Sequence, residues 1–339
     1  MSTNRESTGV GQDQRVLATL ECLGLIGAEG GRTTPLSGGV SSDIRLVETA
    51  GRRFCVKRAL PRLKVAALWE APVSRNSAEA AWMRTVAVWF PECVPALFGE
   101  SKDAGLFVME YFEPATHPVW KDLLRDGVIE REFAVDVGAH LAEIHRRSAG
   151  NPVLAQEFAN DATFEAIRLE PYLRASAKRH PDLSEKLNEL ADQTLANKCA
   201  LVHGDFSPKN ILRGPSGPVF LDAECAWYGD PAFDLAFCLN HLLLKGAWRP
   251  QWRSQYVDLF GAFATTYLAK VEWEAPRDLE RRAAALLPGL LLARVDGKSP
   301  VEYLADEASR NAVRVVAREL LLNPTERIGS IGQIWEKQS

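Results

Sequence analysis

The stretch HGDFSPKNIL, residues 203 to 212 of a 339-residue chain, decides the reading. It sets an imidazole (His203), a carboxylate (Asp205) and a carboxamide (Asn210) at the spacing H-x-D-x-x-x-x-N. Asp favours turns, so alone Asp205 is an ordinary loop residue. Further along, however, the apolar run PVFL ends in Asp222, with Glu224 two positions later. Upstream, Lys57 sits in the apolar run FCVKRAL, after the glycine-containing segment LSGGVSSD, and Glu79 lies in the Ala-rich stretch that follows.

Together these are the parts needed to move a phosphoryl group. Magnesium takes oxygen ligands, often one or two carboxylates beside substrate phosphates, and Asp222 and Asn210 supply them. A hydroxyl acceptor needs its oxygen aimed and its proton accepted, which falls to Asp205. A strand lysine pairs with nucleotide phosphates and a helix glutamate orients it, the roles expected of Lys57 and Glu79. The backbone around Gly38, Gly39, Val40 and Ser41 is expected to cover the phosphates. MEYF, residues 109–112, is expected to form a hinge whose backbone at Glu110 and Phe112 meets the adenine.

The chain resembles the kinase-like small-molecule phosphotransferases: aminoglycoside phosphotransferases, choline kinases and methylthioribose kinases. The resemblance spans roughly residues 33 to 322 and is carried by VHGDFSPKNIL and FLDAECAWYGDPAFDLA. Protein kinases usually have H-R-D and D-F-G there, whereas this chain has Gly204 and D-A-E. The D-x-E is most similar to methylthioribose kinase. The resemblance implies an α+β, protein-kinase-like two-lobe fold, a small β-rich N-terminal lobe and a larger helical one. It implies ATP or GTP as donor, Mg²⁺, and a small hydroxylated acceptor, a sugar or polyol of methylthioribose type; aminoglycoside or choline-like acceptors are the alternatives. It places Glu224 at metal and acceptor, and Arg294 of LLLARVDGKSPVEYL at the active site. His203 and Asp234 are implied to brace the loop. A kinase-like sensor without catalysis is the rival class; such proteins usually lose the base, metal or lysine position, and all three are present here.

Composition agrees with a globular enzyme. Apolar residues make up 46%, charged residues 25%, and net charge is −4, which argues against a nucleic-acid partner. Six scattered cysteines without a C-x-x-C pair fit reduced thiols. The polar start MSTNRESTGVGQDQRV lacks the apolar region of a secretory signal. ALLPGLLLARV, interrupted by Pro288, is too short to span a bilayer. A cytoplasmic protein without membrane partners is expected.

Residues 1–112 are expected to form the nucleotide lobe, with 1–15 disordered and a short helix over QRVLATLECLGL. A hairpin about TAGR, a helix over SRNSAEAAWMRTVAVWF and strands over VPALFGES and GLFVMEYF follow. Residues 113–339 are expected to be mostly helical, with two short strands, NILR and PVFLD, after the catalytic loop. Trp227, Tyr228, Trp248 and Trp252 are candidates for an acceptor pocket.

Overall fold

The computed structural model describes residues 6–36, 41–60 and 72–337. The chain divides into two compact units, Met1–Glu113 and Pro114–Ser339.

Unit 1 is built on a five-stranded antiparallel sheet of order β1-β2-β3-β5-β4: β1 (Arg32–Pro35), β2 (Ser42–Glu48), β3 (Arg53–Ala59), β4 (Leu97–Ser101) and β5 (Leu106–Glu110). The β2–β3 hairpin turns through Thr49–Arg52, whose backbone bond closes it at 2.9 Å. Side chains alternate across a strand, and β3 uses both faces. Phe54 and Val56 join Val47, Leu106 and Val108 in a core under α1 (Glu6–Cys22), which contributes Val16 and Leu20. Cys55 and Lys57 take the other face, toward α2 (Arg75–Ala87).

Helix α1 corrects the expectation of disorder over 1–15 for residues 6–15, since the chain is helical from Glu6, and residues 1–5 lie outside the described residues. Polar composition hid the reason. Val16 and Leu20, one turn apart, cover an apolar sheet face, and Asp13 pairs with Arg45 of β2. Burial of those two side chains extends the helix into polar sequence that would not hold it alone.

Unit 2 is mainly helical. It runs through α3 (Trp120–Arg125), α4 (Arg131–Ser148), α5 (Pro152–Glu157), α6 (Asp161–Phe164), a π-helical segment Glu165–Arg174, α7 (Ala175–Arg179) and α8 (Ser184–Ala196). Short strands β6 (Ala200–Val202), β7 (Ile211–Gly214), β8 (Gly217–Phe220) and β9 (Trp227–Gly229) frame the H-G-D loop. Helices α9 (Pro231–Trp248), α10 (Arg253–Leu268), α11 (Pro276–Asp296), α12 (Glu307–Leu322) and α13 (Ile328–Lys337) complete it. Helix α9 is buried from Pro231 to Gly246 and forms the centre of the core. Helix α11 passes through Pro288 without ending: proline removes one backbone bond and kinks a helix, and tight packing on both sides holds it together. Among the described residues no helix is long and apolar enough to cross a membrane.

Candidate active site

The H-G-D loop is held from three directions. Strand β6 pairs with β9, Val202 opposite Trp227, and fixes the entry. The β7–β8 hairpin, Ile211 opposite Phe220, fixes the exit. From the first turn of α9, Asp234 accepts the backbone N–H of His203 at 2.7 Å and of Gly204 at 2.9 Å. Gly204 has φ +76°, and a Cβ there would stand 2.5 Å from the carbonyl oxygen of Cys225, so the position takes only glycine.

His203 sits inside this frame. Its Nε2 lies 3.0 Å from the Leu221 carbonyl, and its Nδ1 accepts the Asp205 N–H at 3.2 Å. Burial lowers its pKa against the pull of Asp234, Asp205 and Asp222. It is a neutral imidazole with both nitrogens engaged, which links loop entry to strand end.

The Asp205 carboxylate is 3% exposed as a residue. Its Oδ2 meets Arg168 Nη2 at 3.0 Å and Lys209 Nζ at 2.9 Å. Burial would raise its pKa, but Arg168 and Lys209 outweigh burial and the neighbouring Asp222, and hold it below the ordinary value. Lys209 responds in the other sense: burial lowers it, while Asp205 and Asp222 hold it up at about 12. Its side chain remains 45% exposed.

Arg168 comes from the π-helical segment. It also donates to the carbonyls of Gly204 and Ile167. Neither Arg168 nor the pairing of Lys209 with Asp205 was anticipated from sequence. Lys209 lies within the motif and could have been weighed there; Arg168 lies in no motif.

Asn210 ends a 3₁₀ turn, Pro208–Asn210, and its amide donates to the Asp205 carbonyl at 2.9 Å. The Leu221 N–H reaches back to the Asn210 carbonyl at 2.9 Å, so Asp222 is anchored beside the loop. Asp222 has φ +66°, the single non-glycine residue with positive φ among those described. Such backbone persists where surrounding structure imposes it, often at functional sites. A carboxylate and a carboxamide oxygen are hard donors, and that set suits Mg²⁺. Glu224 is buried, at 8% exposure, and acts electrostatically on Arg168. After Asp222 the chain does not run on as a strand: a turn closes with the Ala226 N–H on the Ala223 carbonyl at 3.0 Å.

In unit 1, Lys57 and Glu79 form a buried pair at 2.6 Å, with side chains 3% and 1% exposed. Lys57 stands opposite Phe107, and Phe54 opposite Glu110, so Glu110 lies three rungs along the sheet from Lys57. Phe112 follows β5 and is half-buried. Ser41 is buried, and its carbonyl accepts from Arg75 at 2.7 Å. Arg75, another residue not anticipated, also binds the carbonyls of Leu60 at 2.6 Å and Pro72 at 2.9 Å. Gly38, Gly39 and Val40 lie outside the described residues.

Arg294 does not touch Asp205. It bonds the Tyr172 hydroxyl at 3.0 Å and the Ser299 side chain at 3.2 Å. The Tyr172 ring lies 5.5 Å from the Arg294 guanidinium and 5.9 Å from that of Arg168. Trp227 is core, stacked on Phe164 at 4.1 Å. Tyr228 donates to the Cys199 carbonyl at 2.9 Å, and the Trp252 ring fills the space beside Gly127. Trp227 and Tyr228, both buried, are corrected from pocket candidates to packing residues, while Trp252 is half-buried. Trp248 stacks on Tyr303 at 4.5 Å.

A model of the phosphotransferase enzyme family matches residues 32–279. Curated relatives include methylthioribose kinase of Bacillus cereus (strain AH820), 25% identical over 230 residues, covering 59% of this chain and 57% of that protein. The matched stretch thus spans little more than half the length of that relative. Among solved structures, amicoumacin kinase hAmiN in complex with AMP-PNP, Ca²⁺ and Ami superposes with a TM-score of 0.58 at 13% identity, over 97% of this chain and 99% of its own. Choline kinase from Cryptosporidium parvum Iowa II does so with a TM-score of 0.53 at 11% identity, over 94% and 98%. At these identities the two structures speak for the fold. The family match runs from the first residue of β1 into α11, and the chain belongs to the phosphotransferase enzyme family.

Proposed function

We propose that the protein is a kinase that transfers the γ-phosphoryl group of ATP, or GTP, to a hydroxyl of a small metabolite. The observation that carries this is the Asp205 carboxylate, buried yet held ionised by Arg168 at 3.0 Å and Lys209 at 2.9 Å. The acceptor hydroxyl donates its proton to Asp205 as its oxygen attacks the γ-phosphorus. The bond from phosphorus to the β–γ bridging oxygen breaks, and the nucleoside diphosphate leaves with that electron pair. Asp222 and Asn210 would hold Mg²⁺ with Glu224 nearby, and the ion, when bound, neutralises phosphate charge. Lys57, oriented by Glu79, adds positive charge for the phosphates. The backbone at Ser41 faces them, and the chain at Glu110 and Phe112 receives the base. His203 and Asp234 hold the loop in register.

Similarity to methylthioribose kinases over 230 residues favours a sugar or polyol hydroxyl as acceptor. The AMP-PNP and Ca²⁺ of the amicoumacin kinase complex favour an adenine nucleotide and a divalent cation. The test is nucleoside diphosphate release by the purified chain across a panel of hydroxylated compounds, with Asp205→Asn alongside. Acceptor-stimulated release that the variant lacks supports the reading. Nucleotide binding without acceptor-stimulated release by any panel member points instead to a sensor.

A further inference from the structure

Along α9, Asp234, Phe237, His241, Lys245 and Trp248 follow one another at helical spacing. Asp234 holds the loop at one end of this stripe; Arg168, 3.0 Å from the Asp205 carboxylate, lies 5.9 Å from the Phe237 and Tyr172 ring centroids, and the Arg294 guanidinium lies 5.5 Å from that of Tyr172, so the stripe runs from Asp205 toward Arg294 and Lys245. A stripe facing the core is normally apolar. This one carries His241 at 6% exposure and Lys245 at 1%.

The Lys245 ammonium lies 3.8 Å from the Tyr303 ring centroid and 4.9 Å from that of Trp248. Among the described residues it has no hydrogen-bond or ion-pair partner. The Arg294 Nε and the Tyr303 hydroxyl are also buried without a partner. The charges acting most strongly on Lys245 are Lys121, Glu302, Arg294 and Asp122. Glu302 is taken by Lys121, and Asp122 by Arg125 at 2.8 Å. The charges acting most strongly on His241 are all cationic: Arg294, Lys245, Lys209 and Lys121. Lys209 is the same residue that touches Asp205.

Burial of an unpaired ammonium is unfavourable unless something pairs with it. The aromatic faces of Tyr303 and Trp248 offset part of that cost. Burial, with Lys121 and Arg294, pushes Lys245 well below its ordinary value against Glu302, and an arriving anion would reverse that pressure. Unmet donors of three kinds, ammonium, guanidinium and phenol, lie in one positively charged cluster.

We propose that this cluster is the anion subsite of the acceptor. The molecule phosphorylated at Asp205 carries a carboxylate or phosphate that Lys245, Arg294 and Tyr303 receive, while its carbon skeleton lies against the Tyr303 and Trp248 rings. The acceptor is then a hydroxylated acid of sugar-acid type rather than a neutral sugar or a cation, since like charge placed here would be repelled. The inference rests on the kinase reading for its hydroxyl end only.

The experiment pairs turnover with binding. Gluconate, glucose 6-phosphate, glucose and glucosamine are compared as acceptors, and inorganic phosphate and gluconate as ligands that raise the melting temperature. Wild type, Lys245→Met and the charge-retaining Lys245→Arg are measured. The expected result is kcat/KM at least about tenfold higher for an anionic acceptor than for its neutral or cationic counterpart, the factor that 1.4 kcal/mol represents. Gluconate against glucose 6-phosphate tells carboxylate from phosphate. Anions should raise the melting temperature of wild type and Lys245→Arg, not of Lys245→Met. Equal turnover of all charge classes, or an anion response undiminished in Lys245→Met, overturns the proposal. A Lys245-dependent anion response with no turnover of any acceptor sinks the kinase reading and leaves the anion subsite standing.

Discussion

Arg168 and Asp205 are joined at 3.0 Å with side chains only 8% and 5% exposed. The contact ties a helical segment outside the motif to the proposed base. Arg168→Met should lower kcat about 10²-fold through loss of positioning, with KM for nucleotide little changed. The acid limb of the rate profile should move to higher pH, because Asp205 loses the larger of the two charges that depress it. The stability effect has a sign. Asp205 has a lowered pKa in the folded state, so its contribution is present above its ordinary value near 3.9 and is lost as pH falls through the folded value. Melting temperature followed downward from pH 6 should fall less steeply in Arg168→Met than in wild type.

Asp205→Asn keeps size and removes the proposed proton acceptor. Turnover should drop by about 10²–10⁴-fold while calorimetric nucleotide affinity holds. A variant retaining more than about a tenth of wild-type kcat, with chemistry rate-limiting, removes Asp205 from the role of base.

At Asp222 the left-handed backbone, φ +66°, separates two effects that alanine alone would merge. Both Asp222→Ala and Asp222→Gly delete the proposed metal-binding oxygen and should abolish the response to Mg²⁺. Glycine tolerates positive φ and alanine does not, so Asp222→Gly should be more stable than Asp222→Ala by about 1 kcal/mol. Paired denaturant curves and Mg²⁺ titrations check both.

Lys57→Met leaves Glu79 as a buried charge without its lysine. Breaking such a pair costs about 3–5 kcal/mol. The double variant Lys57→Met/Glu79→Gln should recover part of the stability and none of the turnover. Recovery of turnover would show that the pair serves folding alone.

The local arrangement of the loop was legible in the sequence. Asp205, Asn210 and Asp222 are close in sequence, and a turn, a hairpin and a strand end bring them together. The β2–β3 hairpin was legible for the same reason, since alternation and a glycine turn are local signals. Arg168 and Arg75 were not, because a buried arginine reads like a surface cation until tertiary structure sets a carboxylate or a row of carbonyls against it. Trp227 and Tyr228 misled in the opposite direction: proximity to the motif suggested a pocket, yet β9 turns both rings into packing. Strands β6 and β9 are three residues each, too short for periodicity to register.

Gly204 constrains which sequences this loop can reach by mutation. A single base change converts any glycine codon to one for arginine, which would give the H-R-D of protein kinases. Here the first carbon of that side chain would stand 2.5 Å from the Cys225 carbonyl, on backbone of φ +76°. The step is one nucleotide wide in the gene and closed in the folded protein. An arginine at 204 becomes admissible only after the turn carrying Cys225 has been rebuilt, so the two loop types are separated by a coordinated change rather than by drift.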